Sequence, residues 1–468
     1  MEHIIQQIAL DLAKNITEKA LISENLDLDD LSDMALEDCK AAAIRIVETI
    51  VTEMNEGIRQ DKPARKELGL VLKEKDRRRN LLVSLGELHL KRDYYYDKFN
   101  KHYAFPLDVV LGIEPYERTG KNVSARLVEA ATEYSYAKSS KIVTEGKVSR
   151  QTVRNKILKA PELEVVSLPS EKKPVRELHV FADEDHVHLQ KPNKEKGKRS
   201  RIVPLVTVTE GVTGESAGRN STINPMHFVD TEFDTANLWE DVDGYIRTSY
   251  DVEGIDKIYV HGDGGGWILN GLNEYDQTTH VMDGYHLGKQ LRALNSKFPG
   301  LNARYRLEKA IRADDCDKAN EIVDGLMRHA KEPNQMMAAE TARIYLNNKW
   351  DEIVNRRILD IPGSCTEGQV SHVLSERFSR NPMGWSKECL GKLSKLRVYV
   401  KNGGEIKGEH FRKGCHEDIG YVGEMIKANV SGCFDWSIFD GEPMVFDRSS
   451  GTQMLIGMLG QQNDWILS

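Results

Sequence analysis

Residues 176–190, RELHVFADEDHVHLQ, alternate apolar and polar side chains with the period of two that is typical of a β-strand. Two more strands are predicted after it, SRIVPLVTVTEG at 200–211 and NPMHFVD at 224–230. We expect these three strands to lie in hairpin order and to pair antiparallel. An antiparallel start excludes a sheet in which all strands are parallel.

The stretch that follows the three strands completes the pattern of the core. It predicts a helix over 234–250, then the strand DKIYVHGDGGG at 256–266 and the strand TTHVMDG at 278–284. Three strands in hairpin order, a helix, a strand, a helix and another strand is the order of a ribonuclease-H-like core. Residues from about 285 to 360 have a helical pattern and are rich in Lys, Arg, Glu and Ala. The sequence therefore predicts an α/β fold, with a mixed-sheet catalytic core at 170–400 that a helical insertion interrupts.

A second helical pattern, at 124–160, precedes the core and has the layout of a helix-turn-helix. One helix is predicted to end near Tyr134 and a second near Thr144, and a third begins after Ser149, a residue type that suits an N-cap. In this motif the last helix enters the major groove of DNA. A structural three-helix bundle has the same spacing and remains the alternative. The candidate DNA-binding residues of the third helix are Arg150, Gln151, Arg154, Asn155 and Lys156.

Charge is distributed unevenly along the chain. Residues 1–60, an acidic segment with a helical pattern, carry 5 basic and 13 acidic side chains, whereas residues 61–160 carry 22 basic and 13 acidic ones. The basic part contains an alternating stretch at 77–96 that predicts a β-hairpin. We therefore interpret 61–165 as a basic DNA-binding region, with a solvated surface as the alternative. Residues 401–468 are a C-terminal segment in which no motif stands out.

Composition excludes several classes of protein. The chain has 468 residues, 40% hydrophobic and 29% charged, and it lacks any apolar run of about 18 residues that would span a bilayer. Its 6 cysteines include no C-x-x-C pair, which argues against structural zinc and against a disulfide scaffold. The first residues lack the pattern of a signal peptide, so we expect a cytoplasmic protein without a membrane partner.

Acidic residues occupy three positions that a ribonuclease-H-like core would bring together. Asp183 lies toward the end of the first strand, Asp263 follows the strand IYVHG, and Glu367 begins a helix after the insertion. Converging carboxylates bind Mg²⁺, and a pair of such ions can activate an attacking oxygen and stabilise a leaving one in phosphoryl transfer. We predict that these residues bind two Mg²⁺ ions, for which Mn²⁺ can substitute. Asp185 shares a strand face with Asp183 and is the alternative first ligand.

A basic run, KPNKEKGKRSR at 191–201, joins the first two strands of the core. Lysines and arginines at the tip of such a hairpin can neutralise the phosphates of a DNA backbone. Lys198 and Arg199 are therefore further candidate DNA-binding residues, and a solvated loop is the alternative.

Four blocks of sequence follow one another along the predicted core. They are FADEDHVHLQ (181–190), HGDGGGWI (261–268), VMDGYHLGK (281–289) and EGQVSHVLSERFSRNPMGWS (367–386). In this order they resemble the signature blocks of the bacterial ISLre family of insertion-sequence transposases, a group related to Mutator-like DDE transposases. The resemblance extends over most of the chain, and the last block is the most specific. It implies a DDE triad at Asp183, Asp263 and Glu367, and a supporting D-x-x-H element at Asp283 and His286.

The resemblance also implies a function. A protein of this family is expected to bind the terminal inverted repeats of an insertion sequence, to cut the DNA strand, and to join it to target DNA. Because two ends must be paired, we expect a homodimer or larger assembly, associated with the bacterial nucleoid in the cytoplasm. Two alternatives remain: a catalytically decayed or domesticated DNA-binding protein, and a ribonuclease-H-like structure-specific nuclease.

Overall fold

The structure is a computed structural model that describes residues 2–22, 27–163, 169–190, 200–215, 219–358, 365–381 and 383–412. Its contacts fall into two compact units, with a division between Arg118 and Thr119. That division lies inside the segment 61–165. The predicted hairpin therefore belongs to the first unit, and the predicted helix-turn-helix belongs to the second.

The first unit consists of helices followed by a three-stranded antiparallel sheet of strand order β1-β2-β3. The hairpin predicted at 77–96 is confirmed and is longer than the pattern indicated. The long second helix buries Val51 and Ile58 against Leu90 of the hairpin. In chain order the elements are α1 (Glu2–Ile22), α2 (Leu28–Gln60), α3 (Lys62–Glu67), β1 (Leu70–Val83), β2 (Gly86–Asp97), β3 (His102–Ala104) and α4 (Pro106–Val110).

Several basic side chains of the hairpin have structural partners. Arg79 donates to Asp108 at 3.0 Å and to the carbonyl of Glu117 at 2.6 Å. Arg77 lies over the ring of Tyr94, 5.0 Å from its centroid. These arginines hold the hairpin to its surroundings, so the net charge of this segment overstates the positive charge that is free to meet DNA.

The second unit opens with the three predicted helices, α5 (Lys121–Glu133), α6 (Tyr136–Thr144) and α7 (Arg150–Lys159). Glu145 ends α6 in the left-handed conformation, with φ 54°, and Gly146 follows at φ 84°. Ser149 caps α7, since its hydroxyl accepts from the amide of Thr152 at 3.1 Å. Inward-facing Val153 of α7 is fully buried. The predicted order and the cap are therefore confirmed.

A five-stranded mixed sheet forms the centre of this unit. Its strand order is β10-β9-β4-β5-β8, with β4, β9 and β10 parallel and with β5 antiparallel to both β4 and β8. The predicted mixed α/β fold and all the predicted strands are confirmed, and a small hairpin of β6 and β7 is an addition that the sequence analysis missed. The elements are β4 (Glu177–His188), β5 (Ser200–Thr209), β6 (Gly211–Glu215), β7 (Arg219–Ile223), β8 (Met226–Phe228), α8 (Thr235–Ser249), β9 (Lys257–Gly262), α9 (Gly266–Leu269) and β10 (Thr278–Met282).

One face of the sheet packs on α8 in a fully apolar core. Val180 and Ile258 from the strands meet Leu238 and Val242 from the helix, and all four side chains are fully buried. This core fixes the parallel strands against each other. Their carboxyl ends, where the polar residues of the opposite face lie, are thereby held in place.

The helical insertion follows β10 and has an apolar core of its own. Leu307, Val323 and Leu326 are fully buried within it. The helices are α10 (Gly284–Lys297), α11 (Ala303–Ala313), α12 (Cys316–His329), α13 (Pro333–Asn348) and α14 (Trp350–Ile358). They confirm the helical pattern that the sequence shows between about 285 and 360.

Helices complete the second unit after the insertion. They are α15 (Thr366–Val370), a π-helical turn (Ser371–Ser375), α16 (Glu376–Phe378) and α17 (Lys387–Lys401). The first of them packs beside β4, and α17 packs against both α5 and α7. Within the part of the chain that the structure describes, no helix has the length and apolarity needed to cross a membrane.

Candidate metal centre

Three neighbouring parallel strands bring aspartates to one end of the sheet, where Asp183 lies within β4 and Asp263 and Asp283 follow β9 and β10. The register of β4 with β9 runs to the pair Phe181 and His261. Two residues further along each chain segment come Asp183 and Asp263, which lie close enough for the charge of Asp263 to act on Asp183. Asp283 follows β10, and its amide donates to the last carbonyl of β9 at 2.7 Å. The sheet thus gathers carboxylates from strands that are far apart in sequence.

Asp183 is the most enclosed of the predicted metal ligands, with only 6% of its surface exposed. One carboxylate oxygen accepts from the amide of Glu184 at 2.8 Å. Burial raises the pKa of Asp183 to about 6, and the negative charges of Asp263 and Glu367 act in the same direction. Among the described residues, no Lys or Arg forms an ion pair with these three carboxylates. Asp183 is buried, Asp263 is half-buried and Glu367 is exposed, and a group of carboxylates without a Lys or Arg partner suits a divalent cation.

The glycine-rich loop after β9 shapes the position of Asp263. The Asp263 side chain accepts from the amide of Gly265 at 2.8 Å, which closes a tight turn. Gly264 has φ 78°, where a side chain would be strained. A Cβ there would also lie 2.9 Å from Lys349 of the insertion, whose ammonium donates to the Gly264 carbonyl. Glycine is therefore favoured at this position by the backbone of the turn, and a side chain there would also displace the end of Lys349.

Asp283 and His286 form a bonded pair at the start of α10. Asp283 is fully buried, and its side chain caps the helix by accepting from the amides of Tyr285 at 3.0 Å and His286 at 3.2 Å. The same carboxylate oxygen lies 3.2 Å from Nδ1 of His286. Burial alone would raise the pKa of Asp283, yet its bonds with His286 hold it below the usual value. The bond to Asp283, with the charge of Asp183 nearby, raises the pKa of His286.

Glu367 reaches this edge of the sheet from α15. Ligand atoms of Asp183, His286 and Glu367 all lie within 4.8 Å of one another, and this is the one group of potential metal ligands found among the described residues. Asp263 is outside that tight group but close enough for its charge to act on both Asp183 and His286. The structure therefore brings the three predicted carboxylates and the predicted histidine to one place.

Asp185 has a different environment from Asp183, although both residues are buried on the same face of β4. Its carboxylate accepts from the hydroxyl of Ser379 at 2.9 Å, just beyond α16. Burial raises the pKa of Asp185, and the bond from Ser379 opposes that rise. Asp185 thus fastens the C-terminal helices to β4, and it is Asp183 that lies in the ligand group.

The five candidate DNA-binding residues on α7 differ in how far their side chains are exposed. Arg150, Gln151 and Asn155 are exposed, and the Gln151 amide donates to the Asn155 oxygen at 2.9 Å. Arg154 is half-buried, and its charge acts on the buried pair of Tyr136 and Cys389. The fifth residue is Lys156, which is half-buried and has a polar partner. The helix therefore offers a short polar strip formed mainly by its first turn and by Asn155.

Of the basic run between β4 and β5, the structure describes Ser200 and Arg201. Lys198 and Arg199 lie outside the described residues. Arg201, at the end of the run, donates to the carbonyl of Glu232 at 3.1 Å and lies over the ring of Phe233. That arginine serves a local structural contact.

Two basic residues that the sequence analysis passed over support the site. Lys349 holds the loop of Asp263, as described above. Arg397 of α17 has 1% of its surface exposed and donates to the carbonyl of Thr132 in α5 and to that of His372, both at 2.7 Å. It also donates to the carbonyl of Val373. Both contacts join segments distant in sequence, and no local pattern marks them.

The comparisons with known proteins agree on one family. The model of "Uncharacterised protein family (UPF0236)" matches residues 21–414. The chain belongs to the UPF0236 family. Two relatives are UPF0236 proteins of Caldanaerobacter subterraneus subsp. tengcongensis, each 35% identical over 413 residues, which is 87% of this chain and 86% of the relative. A third, from the same organism, is 35% identical over 413 residues and 82% of its own length.

The matched region of the UPF0236 family contains every part of the candidate metal centre. It also contains α7 and α17, so the polar strip and the buried arginine belong to the family region as well. One of the two relatives has a name that joins four gene designations, and the other has a name that joins eleven.

Proposed function

We propose that this UPF0236 chain is a DDE transposase, which binds the ends of an insertion sequence and catalyses metal-dependent DNA cleavage and strand transfer. The observation that carries the proposal is the convergence of Asp183, Asp263 and Glu367 at the carboxyl ends of the parallel strands, where no Lys or Arg of the described residues forms an ion pair with them. Such a group favours a divalent metal over a purely structural role, because Asp183 is buried and an unpaired buried carboxylate destabilises a fold.

The topology of the sheet supports a ribonuclease-H-like core. On one side of β4 lie β5 and β8 in hairpin order, and on the other side lie the parallel strands β9 and β10. The sequence order predicts this arrangement for that fold. Fold alone does not determine activity, so the carboxylates carry more weight than the topology. The resemblance to ISLre transposases adds the expectation that DNA is both substrate and target.

The names of the relatives offer independent support. A name that joins eleven gene designations of one organism fits a gene present in many copies of one genome. Repeated copies are what an element that moves or copies itself leaves behind. A decayed or domesticated gene is expected to persist as a single copy instead.

The residues have distinct roles in the proposed reaction. Asp183, Asp263 and Glu367 would hold the metal, while Asp283 orients His286 beside them. A bound Mg²⁺ pair supplies charge neutralisation and activates the attacking oxygen in this kind of phosphoryl transfer. The polar strip of α7 would position the DNA end, and a homodimer or larger assembly would pair two ends.

The decisive experiment is a cleavage and joining assay with full-length protein, Mg²⁺ and a duplex that carries the DNA flanking the gene. Asp263→Ala is assayed beside the wild type. Asp256→Ala is the matched control, since Asp256 is an exposed aspartate at the other end of the same strand, paired with Arg176 at 3.8 Å. We expect cutting at the element's end followed by joining, both lost in the first variant and retained in the second.

Two other results of this assay would favour the alternative functions. Tight binding without cutting in Mg²⁺ or Mn²⁺ would contradict the proposal and favour a decayed DNA-binding protein. Cutting of branched DNA or RNA hybrids without joining, and without preference for the flanking sequence, would favour a structure-specific nuclease.

A further inference from the structure

His286 is the one nitrogen donor in the ligand group that the described residues form. A ring nitrogen of His286 lies within 4.8 Å of carboxylate oxygens of both Asp183 and Glu367. The histidine therefore borders the space that a metal would fill. It lies on α10, an element different from those that carry the carboxylates.

The orientation of the His286 ring is fixed by Asp283. Nδ1 of the ring lies 3.2 Å from the Asp283 carboxylate, so the proton of a neutral ring resides on Nδ1 and points to that carboxylate. The lone pair is then on Nε2. Asp283 itself cannot turn away, because it is fully buried and accepts from two backbone amides of α10.

This arrangement is the one that metal-binding histidines generally have. Such a histidine donates its second ring N–H to a carboxylate or carbonyl, which fixes the tautomer and increases the basicity of the ligating nitrogen. A histidine kept only to cap or brace α10 would need the bond to Asp283 alone. Ligand atoms of Asp183 and Glu367 lie within 4.8 Å of a ring nitrogen of His286, and a purely structural role leaves this proximity unexplained.

Other histidines of the same region lack these features. His186 is exposed toward the end of β4 and pairs with Glu184 at 3.7 Å. His261 is buried beneath the site, and one of its ring nitrogens lies 3.1 Å from His179. Neither is in the ligand group.

We propose that His286 is a metal ligand through Nε2, beside Asp183 and Glu367, and that the centre therefore prefers a first-row transition ion such as Mn²⁺ to Mg²⁺. The inference rests on the metal site of the proposed function and changes the metal expected there. Mg²⁺ is a hard ion that prefers oxygen ligands and keeps its waters, whereas imidazole nitrogen binds transition ions well.

The test uses Mn²⁺ as the probe, added to metal-free full-length protein at pH 8. Calorimetric titration gives the Mn²⁺ affinity, and competition with Mg²⁺ gives the preference between the two ions. Electron spin echo spectroscopy of bound Mn²⁺ reports directly whether an imidazole nitrogen is coordinated. The variants are His286→Gln, Asp283→Asn and Asp183→Asn, and His186→Gln is the matched control.

We expect the wild type to show nitrogen coupling that is absent from His286→Gln. The Mn²⁺ affinity of that variant should fall by about tenfold or more, and its Mg²⁺ affinity should fall less, because the lost ligand is the nitrogen. Asp283→Asn should keep the coupling with an affinity about tenfold to a hundredfold lower, since the orienting carboxylate is lost. His186→Gln should match the wild type.

Two failures are distinguishable. Wild-type protein that binds Mn²⁺ without nitrogen coupling, with binding lost in Asp183→Asn, would overturn the role of His286 and leave the carboxylate site intact. Wild-type protein that does not bind Mn²⁺, or an Asp183→Asn variant that binds it unchanged, would overturn the metal site of the proposed function itself. The wild-type spectrum decides the role of His286 even where a variant fails to fold.

Discussion

The two faces of the central sheet are equally buried and chemically opposite. On the face that packs against α8, Val180 and Ile258 are enclosed by other apolar side chains. On the other face of the same strands, Asp183 and His261 are enclosed to a similar degree. Burial of apolar groups stabilises the fold, whereas burial of charged groups opposes it. The apolar face therefore stabilises the fold, and the polar face is buried at a cost that the proposed metal site would explain.

The histidine pair beneath the site illustrates that cost. Nδ1 of His179 lies 3.1 Å from Nε2 of His261. Burial lowers the pKa of His261 to about 3, and burial also lowers the pKa of His179. Both rings are therefore neutral at physiological pH.

The largest effect is expected from Asp183→Asn, which changes the polar face alone. Loss of a metal-binding carboxylate should slow DNA cleavage by about a thousandfold, or about 4 kcal/mol of activation free energy. Single-turnover cleavage rates measure the change. Ile258→Ala, on the apolar face, is the control and should cut at nearly the wild-type rate per folded molecule. Equal slowing in both variants would mean that the two faces do not divide their roles.

The variant Ile258→Ala also tests how much the apolar face contributes to the free energy of unfolding. Ile258 is fully buried, and its truncation to Ala removes apolar contacts and leaves a cavity. The free energy of unfolding should fall by about 2 to 5 kcal/mol, as measured by denaturant titration. A fall well below that range would show that the apolar face is not the source of stability.

Asp183→Asn should have the opposite effect on stability in metal-free protein. The pKa of Asp183 is about 6 in the folded state, above its ordinary value of 3.8, so the stability that its protonated carboxyl contributes is fully present below pH 3.8 and is lost as pH rises through 6. Asparagine avoids that loss. In EDTA at pH 8 the variant should be more stable by on the order of 3 kcal/mol. Calorimetry at pH 8 and at pH 3.5 checks the sign, since a gain that persists at the lower pH would not come from this ionisation.

The smallest effect is expected two residues further along β4. Asp185 holds Ser379, so Asp185→Asn should slow cleavage by about fivefold or less, the equivalent of about 1 kcal/mol. Ser379→Ala should give a similar change. Cleavage assays on both variants locate the end of the metal centre along the strand, and a loss as large as that of Asp183→Asn would place Asp185 among the ligands.

Local patterns were sufficient to predict much of this architecture. Alternation in 176–190 predicted a strand with Asp183 and Asp185 on one face, and the turn at Gly146 with Ser149 predicted the start of α7. These features depend on neighbours in sequence, and a single chain records them. The hairpin of β6 and β7 escaped prediction because GVTGE and RNSTI are poor in apolar residues and show no alternation.

Features that depend on distant partners were beyond the sequence. Arg397 lies in LRVYVK, where an arginine is ordinarily exposed, yet it is buried against carbonyls of α5 and of the π-helical turn. Lys349 contacts the carbonyl of Gly264 across 85 residues. The sequence likewise gave no sign that His179 and His261 are paired. Only the assembled fold brings such groups together.

Arg397 has a consequence for where DNA would be cut. It ties α5, the first helix of the predicted helix-turn-helix, to the π-helical turn that follows the helix of Glu367. The helices predicted to bind DNA and the proposed catalytic residue Glu367 are thereby connected within one compact unit. If the chain acts on DNA as proposed, this connection fixes the distance between them. The break then falls a set number of base pairs from the recognised sequence, whatever bases lie between.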